Sequence, residues 1–312
     1  MTSIGHSDLD VFPLNLGGNT FGWTSTRDES FAVLDAFAVG GGNFVDTADG
    51  YSAWVPGNTG GESETIIGEW MTARGNRDDI VVATKVSQHP QFPGLAAATV
   101  AAAADASLAR LATDHIDLYY AHFDDASVPL AETVGAFNDL VVAGKVRYVG
   151  VSNYSADRIE EWISIAEREG YALPVALQPH YNLVRREPYE TELAPVVAEH
   201  DLGVMPYFSL ASGFLSGKYR TAADLAGKAR GKGAGQYLDE RGLRVIDALD
   251  AIAVARGVSV PTTALAWLRA KPGIVAPIAS ATTPAQVAEL VAAASVDLTP
   301  QEVAALDAAS AV

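Results

Sequence analysis

A carboxylate, a phenol, an ammonium and an imidazole stand at the ends of three consecutive apolar runs. Asp46 and Tyr51 lie in Phe44-Val45-Asp46-Thr47-Ala48-Asp49-Gly50-Tyr51, Lys85 closes Ala83-Thr84-Lys85, and His122 lies in Tyr120-Ala121-His122-Phe123. Together these groups suit proton transfer. A free tyrosine, with a pKa of about 10, is a poor acid at neutral pH. A neighbouring ammonium favours the phenolate and is expected to lower that value. Asp46 would keep Lys85 charged in a partly desolvated site, and a histidine within reach orients a substrate oxygen or relays a proton. The expected outcome is a tuned phenol, Tyr51, that protonates a developing alkoxide or removes a proton in reverse. Taken singly, each residue also suits a plainer role: Asp46 a turn, Tyr51 a loop aromatic, Lys85 a snorkelling strand-end cation, His122 a satisfied loop histidine. Only a fold that brings all four to one mouth makes them a site.

The elements that must position them read as an alternation. Candidate strands are Leu14–Gly18, Asn43–Asp46, Ile80–Thr84, Ile116–Tyr120, Val146–Gly150, Val175–Gln178, Gly203–Tyr207 and Ile274–Ile278. Most are nearly continuously apolar, as parallel strands buried on both faces must be. Helical stretches lie between them, and seven of the strands recur at roughly 30 residues, one strand-plus-helix unit each. Thr26 and Glu29 have capping-box spacing before Phe31–Ala38, which Gly40-Gly41-Gly42 can stop. Ser155 caps Ala156–Glu169 ahead of Gly170, and Pro129 opens a helix ending near Gly144. Eight strands, with no G-x-G-x-x-G after the first, favour a closed (β/α)8 TIM barrel over a doubly wound sheet. The expectation is one domain over residues 1–312, with Asp8–Pro13 as a small plug at the barrel bottom. Asp46, Lys85 and His122 then share the C-terminal rim, and Tyr51 lies in the loop just above.

Composition narrows the function. The chain has 312 residues, no cysteine, and 38 acidic against 21 basic side chains, a net charge of −17. Thiolate nucleophiles and cysteine-based metal sites are excluded, and no metal is expected. A broad nucleic-acid footprint would need clustered basic charge over a wide face. Met1–Asp10 has no signal-peptide character, and no apolar stretch reaches the ~18 residues of a membrane span. A soluble, cytoplasmic protein, monomeric or weakly homo-oligomeric, is expected. One segment goes against the acidic trend: residues 218–232 hold Lys218, Arg220, Lys228, Arg230 and Lys232 against Asp224 alone. This lies within a glycine-rich loop around 208–240 that leaves a strand end, where a phosphate-bearing ligand would be met.

At this point the chain resembles the aldo-keto reductase superfamily, over roughly residues 9–300. The resemblance rests on an ordered set of segments: Asp46 and Tyr51 five apart after the second strand, Gly61-Glu62-Ser63-Glu64, Lys85 ending the third strand, and Asp117-Leu118-Tyr119-Tyr120-Ala121-His122. Gly144-Lys145-Val146-Arg147-Tyr148-Val149-Gly150-Val151-Ser152-Asn153-Tyr154 follows, then Gln178 with Tyr181-Asn182-Leu183, then Tyr207 and Ser212-Gly213-Phe214-Leu215-Ser216-Gly217-Lys218-Tyr219. It implies hydride transfer between a nicotinamide dinucleotide and a small-molecule carbonyl or alcohol. Tyr51 would be the general acid, Lys85 and Asp46 its tuning pair, and His122 the orienting group. Ser152, Asn153 and Gln178 would hold the carboxamide, with Tyr207 stacked on the nicotinamide. The basic loop, with Lys218 its main contact, would lie over the pyrophosphate; Ser209, Leu210 and Gly217 would also bind the cofactor, and Ser280, Thr282, Gln286 and Glu289 its adenosine end.

Several positions depart from the family pattern. Gln286 stands where many members carry an arginine for the 2′-phosphate, and the neutral amide loses a bidentate ionic contact. Leu290 replaces a frequent asparagine, and Phe208-Ser209 replaces Ser-Pro. NADPH is favoured, with NADH also possible. Trp23, Trp54 and Phe123, with Tyr237 nearby, are expected to line an aromatic mouth for a bulky or apolar carbonyl. Two competing readings exist: a cofactor-binding regulatory module of the same fold with little turnover, and a glycosidase pairing Asp46 with Glu62. The second needs carboxyls ~5–10 Å apart and leaves Lys85 and the basic loop without a task.

Overall fold

The computed structural model describes residues 1–311. Eight parallel strands form one sheet: β1 (Asn15–Gly17), β2 (Phe44–Asp46), β3 (Val81–Val86), β4 (Ile116–Ala121), β5 (Val146–Ser152), β6 (Pro174–Gln178), β7 (Gly203–Val204) and β8 (Ile278–Ala279). The sheet closes on itself. Ile278 and Ala279 pair with Asn15 and Leu16 of β1. Ile274 bridges Val204, the Val275 N–H donates to the Val204 carbonyl at 2.9 Å, and the Ile278 N–H donates to the Pro206 carbonyl at 2.9 Å. This is the expected (β/α)8 barrel.

The last two strands pair less regularly than expected, and each contains a proline. Pro206 and Pro277 lack the N–H a ladder needs. Bonding of the seventh strand to β6 nevertheless continues past Val204, with the Met205 N–H donating to the Leu177 carbonyl at 3.0 Å and the Tyr207 N–H to the Pro179 carbonyl at 2.9 Å, while the expected Ile274–Ile278 strand is divided. Its first half bonds β7, and only Ile278–Ala279 is in register with β1.

The longer helices cover the barrel: α1 (Arg27–Val39), α2 (Glu62–Arg74), α3 (Ala97–Leu111), α4 (Leu130–Val142), α5 (Ala156–Glu169), α6 (Ala194–Glu199), α7 (Glu240–Arg256), α8 (Val260–Arg269), α9 (Pro284–Ala292) and α10 (Pro300–Ser310). Their ends follow local chemistry. Thr26 and Glu29 form a reciprocal capping box on α1. The Ser155 hydroxyl accepts from the Arg158 N–H at the start of α5, which ends at Gly170 with φ +68°. No single helix among the described residues is long and apolar enough to cross a membrane.

Two apolar layers result from the two-residue strand period. Val45, Val82, Tyr119 and Val149 face outward to the helices. Phe44, Ala83, Leu118, Tyr120, Ala176 and Met205 fill the interior. Gly150 makes room there, since a Cβ would lie 2.5 Å from the Tyr120 ring. The bottom is sealed by a hairpin of Thr2–Ser3 against Asp10–Val11, which drives Ile4, Leu9 and Val11 into the interior cluster. Gly5, at φ +49°, lies so close to the Asp201 and Val175 carbonyls that a Cβ would meet both at 2.6 Å. The expected plug is thus present, extended by the preceding strand.

Candidate active site

The inward parity that carries Phe44 and Ala83 into the core continues to Asp46 and Lys85 at the rim. Lys85 is wholly buried. Its Nζ donates to Asp46 Oδ2 at 2.6 Å, to the Thr47 carbonyl at 2.6 Å and to the Tyr51 hydroxyl at 3.1 Å. The other Asp46 oxygen accepts from Gln178 Nε2 at 2.9 Å. Tyr51 is placed by a pinned loop. The Thr47 N–H donates to the Ala83 carbonyl and the Asp49 N–H to the Lys85 carbonyl, at 2.8 and 3.1 Å, and Tyr51 turns back onto the Ala48 carbonyl. The Thr47 hydroxyl donates to Ser63 Oγ, which donates to the Gly18 carbonyl, each at 2.8 Å, so the start of α2 braces the loop. His122 joins from β4, its ring centroid 6.2 Å from that of Tyr51. The structure thus brings Asp46, Tyr51, Lys85 and His122 to one rim.

Burial sets the electrostatics. It pulls Lys85 downward, but Asp46 and Tyr51 outweigh it, and the ammonium's pKa is raised above its ordinary value. Burial is also the largest influence on Tyr51. It raises the phenol above its usual value despite the opposing pull of Lys85, and Asp46 adds to the rise. The sequence reading expected the lysine to win; desolvation of the phenolate, invisible in the sequence, reverses the sign. Burial, then Lys85, pushes His122 well below the ordinary histidine range, so its ring is neutral. The arrangement is a protonated phenol against a fixed ammonium, with a neutral imidazole alongside.

A second cluster adjoins it. Asn153 takes a left-handed φ of +58°, a conformation asparagine tolerates better than most residues. This turns its carboxamide so that Nδ2 donates to the His122 carbonyl at 2.9 Å while Oδ1 accepts from the Tyr207 hydroxyl at 2.6 Å. Ser152 donates to the Gln178 carbonyl at 2.8 Å and is fully buried. From Tyr51 a cleft of about 740 Å³ runs past Asn153 and Tyr207 to Gln286 and Glu289 at α9.

Of the other residues singled out, Trp54, Phe123, Ser209, Leu210 and Lys218 line this cleft, as do Ser280 and Thr282 beyond them. Trp23 does not: it packs edge-on behind Trp54 at 5.7 Å. Gly217 also lies outside the lining, ending a helical turn with φ +75°. Tyr237 lines a separate cavity of about 220 Å³. The basic loop divides. Arg220 turns away to Asp247 and Asp250 of α7, whereas Lys218, Lys228 and Arg230 face the cleft and make no ion pair among the described residues.

Asn19 and Arg230 were missed as individual residues. Arg230 donates to Asn19 Oδ1 at 3.3 Å across the cleft, and Ser280 donates to the same oxygen at 2.7 Å. The only sequence signal was the loop's charge. The cleft fits a nicotinamide dinucleotide. It has a carboxamide and a phenol ring at its closed end, and three cations without carboxylate partners midway. Hydroxyls of Ser280 and Thr282 stand before α9, whose N-terminus favours anions.

A parallel barrel with a proton-transfer cluster at its rim and a long cationic cleft beside it defines a class of (β/α)8 oxidoreductase scaffold. The chain belongs to the aldo/keto reductase family, whose model matches residues 13–311. It is 33% identical to norsolorinic acid reductase B of Aspergillus parasiticus, over 96% of this chain and 81% of that protein. It is 35% identical to a probable voltage-gated potassium channel subunit beta of Oryza sativa subsp. japonica, over 98% and 95%. Identity to protein tas of Escherichia coli is 29%, over 98% and 96%. The family and its reductase members support an oxidoreductase.

Proposed function

We infer that this protein is an NADPH-dependent carbonyl reductase that reversibly interconverts an aldehyde or ketone with its alcohol. The observation carrying this is Lys85 Nζ held between Asp46 at 2.6 Å and the Tyr51 hydroxyl at 3.1 Å. When bound, the nicotinamide supplies a hydride to the carbonyl carbon. As negative charge grows on the carbonyl oxygen, the Tyr51 hydroxyl delivers its proton there, and Lys85 stabilises the phenolate left behind. Asp46 keeps Lys85 charged and fixed, with Gln178 holding the carboxylate's other oxygen. The neutral His122 ring donates an N–H to the same carbonyl oxygen and sets its direction.

Asn153 and Tyr207 would hold the nicotinamide end, Lys218, Lys228 and Arg230 the pyrophosphate, and Ser280, Thr282 and Gln286 the adenosine 2′-phosphate. The cations suit the pyrophosphate common to both dinucleotides; the Ser280 and Thr282 hydroxyls before the α9 N-terminus favour NADPH, with NADH also possible. We take the protein to be soluble and cytoplasmic, monomeric or weakly self-associating.

Loss of nicotinamide absorbance with a panel of aldehydes and ketones tests the reading, and Tyr51→Phe should abolish it. The rice relative's name favours a second reading, a cofactor-binding regulatory module. NADPH binding without turnover of any carbonyl, unaffected by Tyr51→Phe, would establish that reading instead.

A further inference from the structure

Just beyond β6 and β7, His180 and Tyr207 still bridge as parallel neighbours. Neighbours paired in this way project their side chains to one side of the sheet, and here the two rings meet. Their centroids lie 5.1 Å apart and their planes are tilted by 30°. Phe208 stands edge-on to both rings, 5.2 Å from each. Tyr207 also lines the cleft, so what a ligand meets is the part of its ring that His180 leaves free.

The imidazole is itself held. Asn182 Nδ2 lies 3.5 Å from His180 Nε2, and the Tyr237 hydroxyl lies 3.4 Å from it. An amide nitrogen only donates, so Nε2 accepts, and the Tyr237 hydroxyl donates to it as well. Asn182 is wholly buried and also donates to the Phe208 carbonyl at 2.9 Å. Tyr237 is fixed through its backbone, its N–H on the Ala234 carbonyl at 3.1 Å and its carbonyl on the Asp239 N–H at 3.0 Å. Burial, then the Arg185 charge, pulls the His180 pKa down to about 4. The ring behind Tyr207 is therefore neutral, and it sets no charge against the positive nicotinamide that hydride loss leaves.

We propose that His180 is a positioning residue for hydride transfer: it braces the Tyr207 ring from behind, and Tyr237 holds the imidazole in that place. This rests on the reductase reading above and deepens it. The Tyr207 hydroxyl already has a tether, Asn153 Oδ1 at 2.6 Å. A bond at the tip does not stop the ring turning about the axis from Cβ to the hydroxyl, whereas a ring packed on its face does. That rotation sets the plane offered to the nicotinamide, and small misplacements of reacting atoms are costly. Tyr237 arrives from the far end of the glycine-rich loop, so the loop that carries the cations also fixes the brace.

The test uses the full chain, NADPH and an aldehyde that the wild type reduces, with nicotinamide absorbance followed through a single turnover. His180→Ala should slow that turnover about fivefold, with NADPH affinity, read by tryptophan quenching, within about twofold. His180→Phe, which restores a ring against Tyr207, should recover the rate to within about twofold of wild type. Tyr237→Phe should slow the wild type about twofold and leave His180→Phe unchanged, because the hydroxyl then has no acceptor. A rate unmoved by His180→Ala overturns the brace and leaves the reductase reading standing. So does a loss confined to NADPH affinity, or a slow His180→Ala that His180→Phe does not rescue. Equal effects of Tyr237→Phe in both backgrounds overturn the part given to Tyr237. Should His180→Ala not fold, the paired effect of Tyr237→Phe decides alone. Failure of the wild type to reduce any carbonyl removes the reductase reading and the brace with it.

Discussion

Gln178 Nε2 and Lys85 Nζ grip opposite oxygens of one carboxylate, Asp46, at 2.9 and 2.6 Å. The two donors come from β6 and β3, across the barrel interior. The resemblance gives Gln178 to the nicotinamide carboxamide; here its amide nitrogen bonds Asp46 while the residue also lines the cleft. The proposed proton-transfer cluster and the proposed cofactor seat are therefore mechanically joined: a shift at one is felt at the other through a saturated, buried carboxylate.

Tyr51→Phe should lower kcat by about 10²- to 10⁴-fold, with NADPH affinity and fold intact. Because Tyr51 is raised and His122 lowered, neither changes charge between the ordinary values of about 6.5 and 10. Reduction by the wild type should therefore be flat across that range, while alcohol oxidation, which needs the phenol deprotonated, should climb toward alkaline pH. A reduction rate that falls with an apparent pKa near 7 would contradict this.

Lys85→Met should be destabilising by about 3–5 kcal/mol, because Asp46 would remain buried opposite an apolar chain. Urea unfolding measures it. Adding Asp46→Asn should recover part of the loss, since the pair is coupled; strictly additive effects would show that the two do not act as a pair.

Asp49 is fully buried two residues before Tyr51, and neither of its oxygens has a hydrogen-bond partner. Burial, then the nearby Glu64 carboxylate, pushes its pKa up to about 8. A carboxyl raised on folding contributes fully below its unfolded value of about 3.9 and loses that contribution as pH climbs to its folded value. Asp49→Asn cannot ionise. Its Tm advantage over wild type should grow from pH 4 to pH 8, reach ~2 °C or more, then level off. A difference independent of pH would count against it.

Gln286 is spent locally: its Oε1 accepts from the Thr282 N–H at 2.8 Å and the Thr282 hydroxyl at 3.2 Å. Gln286→Arg should add a charge-assisted contact to a 2′-phosphate and raise the NADPH-over-NADH preference about tenfold. Parallel fluorescence titrations check it, and an unchanged ratio would place the 2′-phosphate elsewhere.

The strand order, the capped helices and the plug were legible because apolar runs, capping pairs and glycines act locally. Pro206 and Pro277 also act locally, yet their effect on pairing depends on which neighbour each strand meets. The sequence brought Asp46, Tyr51, Lys85 and His122 to successive strand ends. It could not weigh burial against charge, so the sign at Tyr51 came out reversed. Nor could it tell Trp54, which opens on the cleft, from Trp23, which packs behind it. The charge of residues 218–232 marked a loop, but Arg220 finds its partners in α7, about one helical unit downstream, and so leaves the cleft. Long-range partners of this kind are what a local reading does not contain.

The hairpin that seals the barrel floor has a kinetic consequence. With Ile4, Leu9 and Val11 filling the base, the barrel floor offers no second exit: whatever reaches Tyr51 must come and go through the same mouth. A ligand lying along the cleft floor would be trapped beneath one lying over it. With the dinucleotide proposed above on that floor, it should bind first and leave last, and product inhibition should be competitive for that inner ligand alone.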